Sequence, residues 1–122
     1  MPDAHWTAEL YKAIDAKDTR RFLSFLTANA QFRFGNYPPA VGQAAIGAAV
    51  DAFFASIRSS CHDILNNWDL PGHLVSQGSV TYTRLDGRNV TVPFVNVFNM
   101  RGKLVQDYLI YIDNTPLYAP AA

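Results

Sequence analysis

Four stretches in the second half of the chain, residues 61–70, 74–85, 90–100 and 103–113, alternate or run apolar, with breaks at Pro71-Gly72, Asp86-Gly87 and Arg101-Gly102. Breaks this short leave no room for a crossover, so consecutive strands must turn back on one another as antiparallel hairpins. Strands of roughly ten residues exceed the usual five or six and bend rather than run flat. Gly78 and Pro93 are the expected bend or bulge positions. Strand 90–100 puts Val90, Val92, Phe94 and Phe98 on one face, and Val95 and Val97 on the other. Both faces are apolar, so both need cover. Helices can cover one, and a second copy of the chain the other, which predicts a homodimer through the open sheet face.

The first half supplies the helices. Trp6, Leu10, Ala13 and Ile14 recur at spacings of three and four, an apolar stripe on a helix over residues 5–16. Asp18 is placed to cap a second, short helix that buries Phe22, Leu23, Phe25 and Leu26. Residues 30–34 alternate as a strand until Gly35-Asn36 and Pro38-Pro39 stop it. From Gly42 the pattern is helical again, with Ile46, Val50, Phe53 or Phe54, and Ile57 on one side. Three N-terminal helices packed on a strongly curved antiparallel sheet make an α+β fold, and no stretch of the 122 residues looks like a linker to a second domain.

Composition narrows the partners. Ten basic residues balance ten acidic ones without any Lys/Arg-rich run, which argues against nucleic acid or an anionic membrane as partner. No apolar run approaches the length that spans a bilayer. Eight Phe, six Tyr and two Trp suit a cavity lined for a small apolar molecule, a subunit interface, or both. The single Cys61 and the absence of a secretion signal at the start point to a reducing, cytoplasmic setting. His5, His62 and His73 lack metal-ligand spacing, and no phosphate-binding loop is present, so neither a metal nor another cofactor is implied.

The order of elements resembles the nuclear-transport-factor-2-like superfamily, which includes SnoaL-like polyketide cyclases, ketosteroid isomerase, scytalone dehydratase and limonene-1,2-epoxide hydrolase. Residues 34–42, Phe-Gly-Asn-Tyr-Pro-Pro-Ala-Val-Gly, followed by Ala45-Ile46, are similar to the family's strand-to-third-helix segment. Gly102-Lys103-Leu104, then Tyr108, Tyr111 and Asp113 before Pro116-Leu117, are similar to its last strand. The resemblance covers nearly the whole chain and implies a cone-shaped fold with a pocket. It does not imply one activity, since this fold hosts many chemistries.

Two catalytic patterns can be compared. Ketosteroid isomerase needs a carboxylate base on the first strand and a protonated acid on a later one. Here the first-strand stretch is Phe32-Arg33-Phe34-Gly35, the position two after Pro93 is Val95, and Tyr11 falls one residue from the expected tyrosine. The epoxide hydrolase pattern is an Arg-x-Asp pair, a second Asp on the last strand and a Tyr-x-Asn. Arg84-Leu85-Asp86 resembles the pair, Asp107 the second acid and Asn36 the asparagine, with Phe34 in place of the tyrosine. In that reading Asp86 and Asp107 exchange protons with water and epoxide, Arg84 separates their pKa values, and Asn36 holds the water. Phe34, His62, Trp68, Tyr82, Phe94 and Tyr111 would contact the substrate.

Each residue also has a simpler role. Asp86-Gly87 is a strong hairpin signal by itself, Asn36 suits a turn, and Arg84 can lie along the sheet with its head in water. Two alternatives therefore stand beside epoxide hydrolysis. One is a SnoaL-like cyclase or isomerase using His62 or Asp113; the other is a ligand-binding or dimerisation module without catalysis.

Overall fold

A computed structural model describes residues 5–120; residues 1–4 and 121–122, and with them the chain start considered above, lie outside it. The elements are α1 (His5–Asp15), α2 (Thr19–Leu23), β1 (Leu26–Phe34), β2 (Ala40–Val41), α3 (Gln43–Ala55), β3 (Ile57–Leu70), β4 (His73–Arg84), β5 (Asn89–Arg101), β6 (Leu104–Ile112) and α4 (Thr115–Tyr118). They build a mixed α+β fold on one curled sheet of order β2-β1-β6-β5-β4-β3. The β3–β4, β4–β5 and β5–β6 pairs are antiparallel hairpins, as the short breaks require.

Three expectations are corrected. The sheet is not wholly antiparallel, because β1 runs parallel to β6. Hairpin logic does not reach that pair, which is joined through the rest of the chain rather than by a turn. A short fourth helix, α4, follows β6 and adds to the three nearer the N-terminus. Finally, β3 begins at Ile57 rather than 61. Ser59 and Ser60, which precede the expected strand, pair with Thr83 and Tyr82, and Ile57 opens the strand instead of extending α3.

Local chemistry accounts for the helix ends. The Asp18 carboxylate accepts the Arg21 N–H at 3.0 Å and caps α2. Gly42 precedes α3 at φ 89° and has no side chain to cap with. Gln43 ties that end down instead, its Nε2 donating to the carbonyls of Leu23, Leu26 and Thr27 at 3.1–3.2 Å. A Gln43→Leu variant, which keeps the bulk and loses the donor, is expected to cost about 1–3 kcal/mol in urea unfolding.

Even-numbered residues of β4 and β5 point inward, against the helices. Leu74, Val80, Tyr82, Val92, Phe94 and Phe98 are buried there with Leu10, Tyr11, Phe22, Ile46 and Tyr108. Val95 and Val97 face outward, the division that strand periodicity predicts. Gly78 is where β3 closes on β4: β3 slips register between Ile64 and Asn66, and a Cβ on Gly78 would run into the Asp63 carbonyl and the Ile64 backbone. Pro93 pairs with Ser79 without any slip. No helix among the described residues is long and apolar enough to cross a membrane.

Candidate active site

The helices and the inward face of the sheet line a cavity of about 610 Å³ that opens to solvent. Its wall is mainly apolar, with Phe22, Phe32, Phe34, Phe53, Phe94 and Ile110 among its residues, and polar groups are few. Two of them, His62 and Asn96, are held by side chains from α1.

β3 is an edge strand, so one row of its N–H groups has no strand partner. Asp15, the last residue of α1, answers one of them. Its Oδ2 accepts the His62 backbone N–H at 3.0 Å, while Oδ1 accepts His62 Nδ1–H at 2.6 Å and the Ser60 hydroxyl at 2.8 Å. Burial opposes charge on this carboxyl, but the hydrogen bonds and charge of His62, joined by Ser60, prevail and hold it below its usual 3.8. An ionised carboxylate only accepts, so Nδ1 carries the proton in this bond, and Nε2 is the nitrogen that Asp15 leaves free. The ring is clamped by Tyr11, stacked at 5.0 Å, and by the edge of Phe94 at 5.5 Å. His62 lines the cavity, and among the described residues Nε2 has no partner.

Asn96 is 2% exposed and also lines the cavity. Its Nδ2 donates to the Tyr11 hydroxyl at 2.9 Å, leaving Oδ1 unpartnered among the described residues. Burial pushes the Tyr11 hydroxyl up to about 12, against the pull of nearby Ser76 and Asn96, so it stays protonated. Ser76 Oγ stands beside it without a hydrogen bond of good geometry. A half-turn of the Asn96 carboxamide would let Oδ1 accept the Tyr11 proton and offer Nδ2–H to the cavity. Tyr11 therefore positions both His62 and Asn96.

The Asp15 pairing has a consequence for stability. A carboxyl whose pKa is depressed by folding contributes stability above its unfolded value, and loses it as pH falls through the depressed folded value. The unfolding free energies of the protein and of Asp15→Asn should therefore converge as pH is lowered through and below the ordinary carboxyl value of 3.8, in urea titrations at each pH.

The sequence candidates are distributed differently from the epoxide hydrolase pattern. Phe34, His62, Tyr82 and Phe94 line the cavity. Arg84 and Asp86 do meet, at 3.1 and 3.2 Å, but in the β4–β5 turn. There Asp86 Oδ1 also accepts the Arg88 N–H at 3.1 Å, and Arg84 Nη1 donates to the Ala119 carbonyl at 2.6 Å. The Arg88 N–H chiefly, with Arg84, holds the exposed Asp86 carboxyl low. Asp107 sits opposite Asn99 and accepts its Nδ2–H at 3.0 Å, away from Arg84. Asn36 lies in the turn after β1, at a smaller cavity. Trp68 and Tyr111 are on the outward face, each 50% exposed. Asp113 accepts from the Thr115 N–H and hydroxyl at the β6–α4 link. The parity of each strand, together with the tight turn, determines these positions.

Asp15, Tyr11 and Asn96 are the residues that sequence reasoning did not bring into the site. Asn96 left a signal, since a polar residue interrupts the inward series Val92, Phe94, Phe98; Val95, compared above with the later-strand acid, faces outward. Ser76 interrupts the β4 series in the same way. Asp15 left none, because its partner is 47 residues away on another element.

A SnoaL-like domain model matches residues 7–108, and the chain belongs to that family. Solved structures give the same fold. An NTF2-like protein of unknown function from Burkholderia pseudomallei superposes with a TM-score of 0.85 at 16% identity, covering 96% of this chain and 95% of that one. TerC, co-crystallised with polyporic acid, gives 0.80 at 16% identity and 92% coverage of both chains. A candidate polyketide cyclase from Xanthomonas campestris gives 0.79 at 17% identity, covering 90% and 89%. No curated protein matches the sequence.

Proposed function

We propose that this chain is an enzyme that moves a proton on a small, largely apolar, carbonyl-bearing molecule, as an isomerase or cyclase does. The observation that carries this reading is the 2.6 Å Asp15–His62 bond, which engages Nδ1 of a ring that lines the cavity and leaves Nε2 free to act as a base. His62 takes a proton from the carbon beside the carbonyl, and the C–H electrons pass into an enolate. Asn96 donates to the enolate oxygen, and Asp15 stabilises the imidazolium. Return of the proton to another carbon gives an isomer. Attack of the enolate on a second carbonyl gives a ring, with the proton delivered to the new alkoxide. Both outcomes balance without electron transfer.

Two structural neighbours support the ligand class: TerC, with polyporic acid, and the candidate polyketide cyclase. Water addition to an epoxide is less well supported, because Asp86 is occupied in a turn and Asp107 pairs with Asn99. A purely ligand-binding module would have an all-apolar cavity, whereas His62 and Asn96 interrupt this one.

Exchange of the α-protons of a bicyclic ketone, 2-tetralone, in D2O tests the proposal. The protein should accelerate exchange over buffer, and Asp15→Asn, which removes the carboxylate that fixes the tautomer, should lower that rate at least about tenfold. Exchange no faster than in buffer would refute it.

The same reading includes a homodimer. Trp68, Val75, Val97 and Leu109 are successive cross-strand neighbours on the outward face, an apolar row suited to a second copy. A monomer mass in light scattering at micromolar concentration would remove that part.

A further inference from the structure

The cavity has a second polar station, built from residues that the chemistry above leaves unused. Asn114, between β6 and α4, has both carboxamide atoms buried and without a hydrogen-bond partner among the described residues. It pulls on the Tyr82 hydroxyl without a hydrogen bond of good geometry; Tyr82 lines the main cavity, and Asn114 lines a smaller one of about 200 Å³. The two cavities are adjacent, with Phe34, Tyr37, Ile112 and Tyr118 lining both. A buried carboxamide left unpaired is costly, and native structures seldom retain one without a reason.

We infer that the unpaired Asn114 carboxamide and the Tyr82 hydroxyl form a subsite for a second polar group of the ligand, one that both donates and accepts a hydrogen bond. The ligand is then polar at two ends, with an apolar, ring-sized body between them. One end lies at His62 and Asn96, the other at Asn114. The far group is neutral, a hydroxyl rather than a carboxylate or phosphate, because Asp113 lines the same smaller cavity and no cation among the described residues does. This deepens the proposed function and rests on the cavity being its ligand site, but not on His62 acting as the base.

Calorimetric binding of two matched probes, 2-naphthol and 2,6-dihydroxynaphthalene, tests it. The protein should bind the diol about tenfold more tightly. Asn114→Leu should erase that preference while leaving 2-naphthol within about twofold. The preference should survive in His62→Ala, so loss of proton exchange in that variant is read separately from loss of the subsite. If Asn114→Leu does not fold, the Asn114 side-chain amide signals are followed by ¹H–¹⁵N NMR in the unaltered protein; the diol should shift them and 2-naphthol should not. Equal affinity for the two probes, binding of neither, or amide signals that ignore the diol would each overturn the inference.

Discussion

Replacing His62 with alanine is expected to lower α-proton exchange on 2-tetralone by about 10²- to 10⁴-fold, while Asp86→Asn stays within about twofold of the unaltered protein. The contrast follows from position. His62 is held between Tyr11 and Phe94 with one nitrogen pledged to Asp15, so the ring that carries its free nitrogen is fixed in place. A base so oriented needs no reorganisation before it accepts a proton. Asp86 is equally charged, but the Arg88 backbone and Arg84 occupy it in a turn. Loss of activity in Asp86→Asn with retention in His62→Ala would reverse the assignment. Unfolding curves of both variants separate chemistry from stability. His62→Ala should lose some stability through the broken Asp15 bond, yet remain folded at 25 °C.

The largest effect on stability is expected at Gly78. Gly78→Val should destabilise the protein by about 3 kcal/mol or more, read as a lower urea midpoint with an unchanged slope. The first atom added would meet the Asp63 carbonyl and the Ile64 backbone, neither of which can turn aside as a side chain can. Relief requires moving β3 off β4, and β3 carries His62 and Ser60 to Asp15. The substitution should thus disturb the site as well as the fold. A Gly78→Val protein with wild-type stability would show that the strands are not in this register.

Periodicity and turn chemistry made most of this architecture legible beforehand. The hairpins, the Asp18 cap and the division of β5 into two faces all express interactions between residues near in sequence or facing across a turn. What escaped were pairings between distant segments: β1 with β6, and Asp15 with His62. Neither end of such a pair marks the other. The site was legible in part for the same reason. His62, Phe34, Tyr82 and Phe94 reach the cavity by strand parity, a local property. Arg84-x-Asp86 resembled a catalytic pair because its spacing also suits a hairpin turn, and the turn is what it forms. Asn96 was detectable as the polar residue on an otherwise apolar strand face, and such interruptions of period two are a useful signal in curved sheets.

The tautomer and ligand response of His62 test the central claim most directly, through ¹⁵N NMR of the histidine-labelled protein. The proposed function requires a neutral ring protonated on Nδ1, with an Nε2 resonance that moves when 2-tetralone saturates the cavity and does so equally in Asp86→Asn. A ring protonated on Nε2 instead, or an Nε2 signal unmoved at saturating ketone, would contradict it.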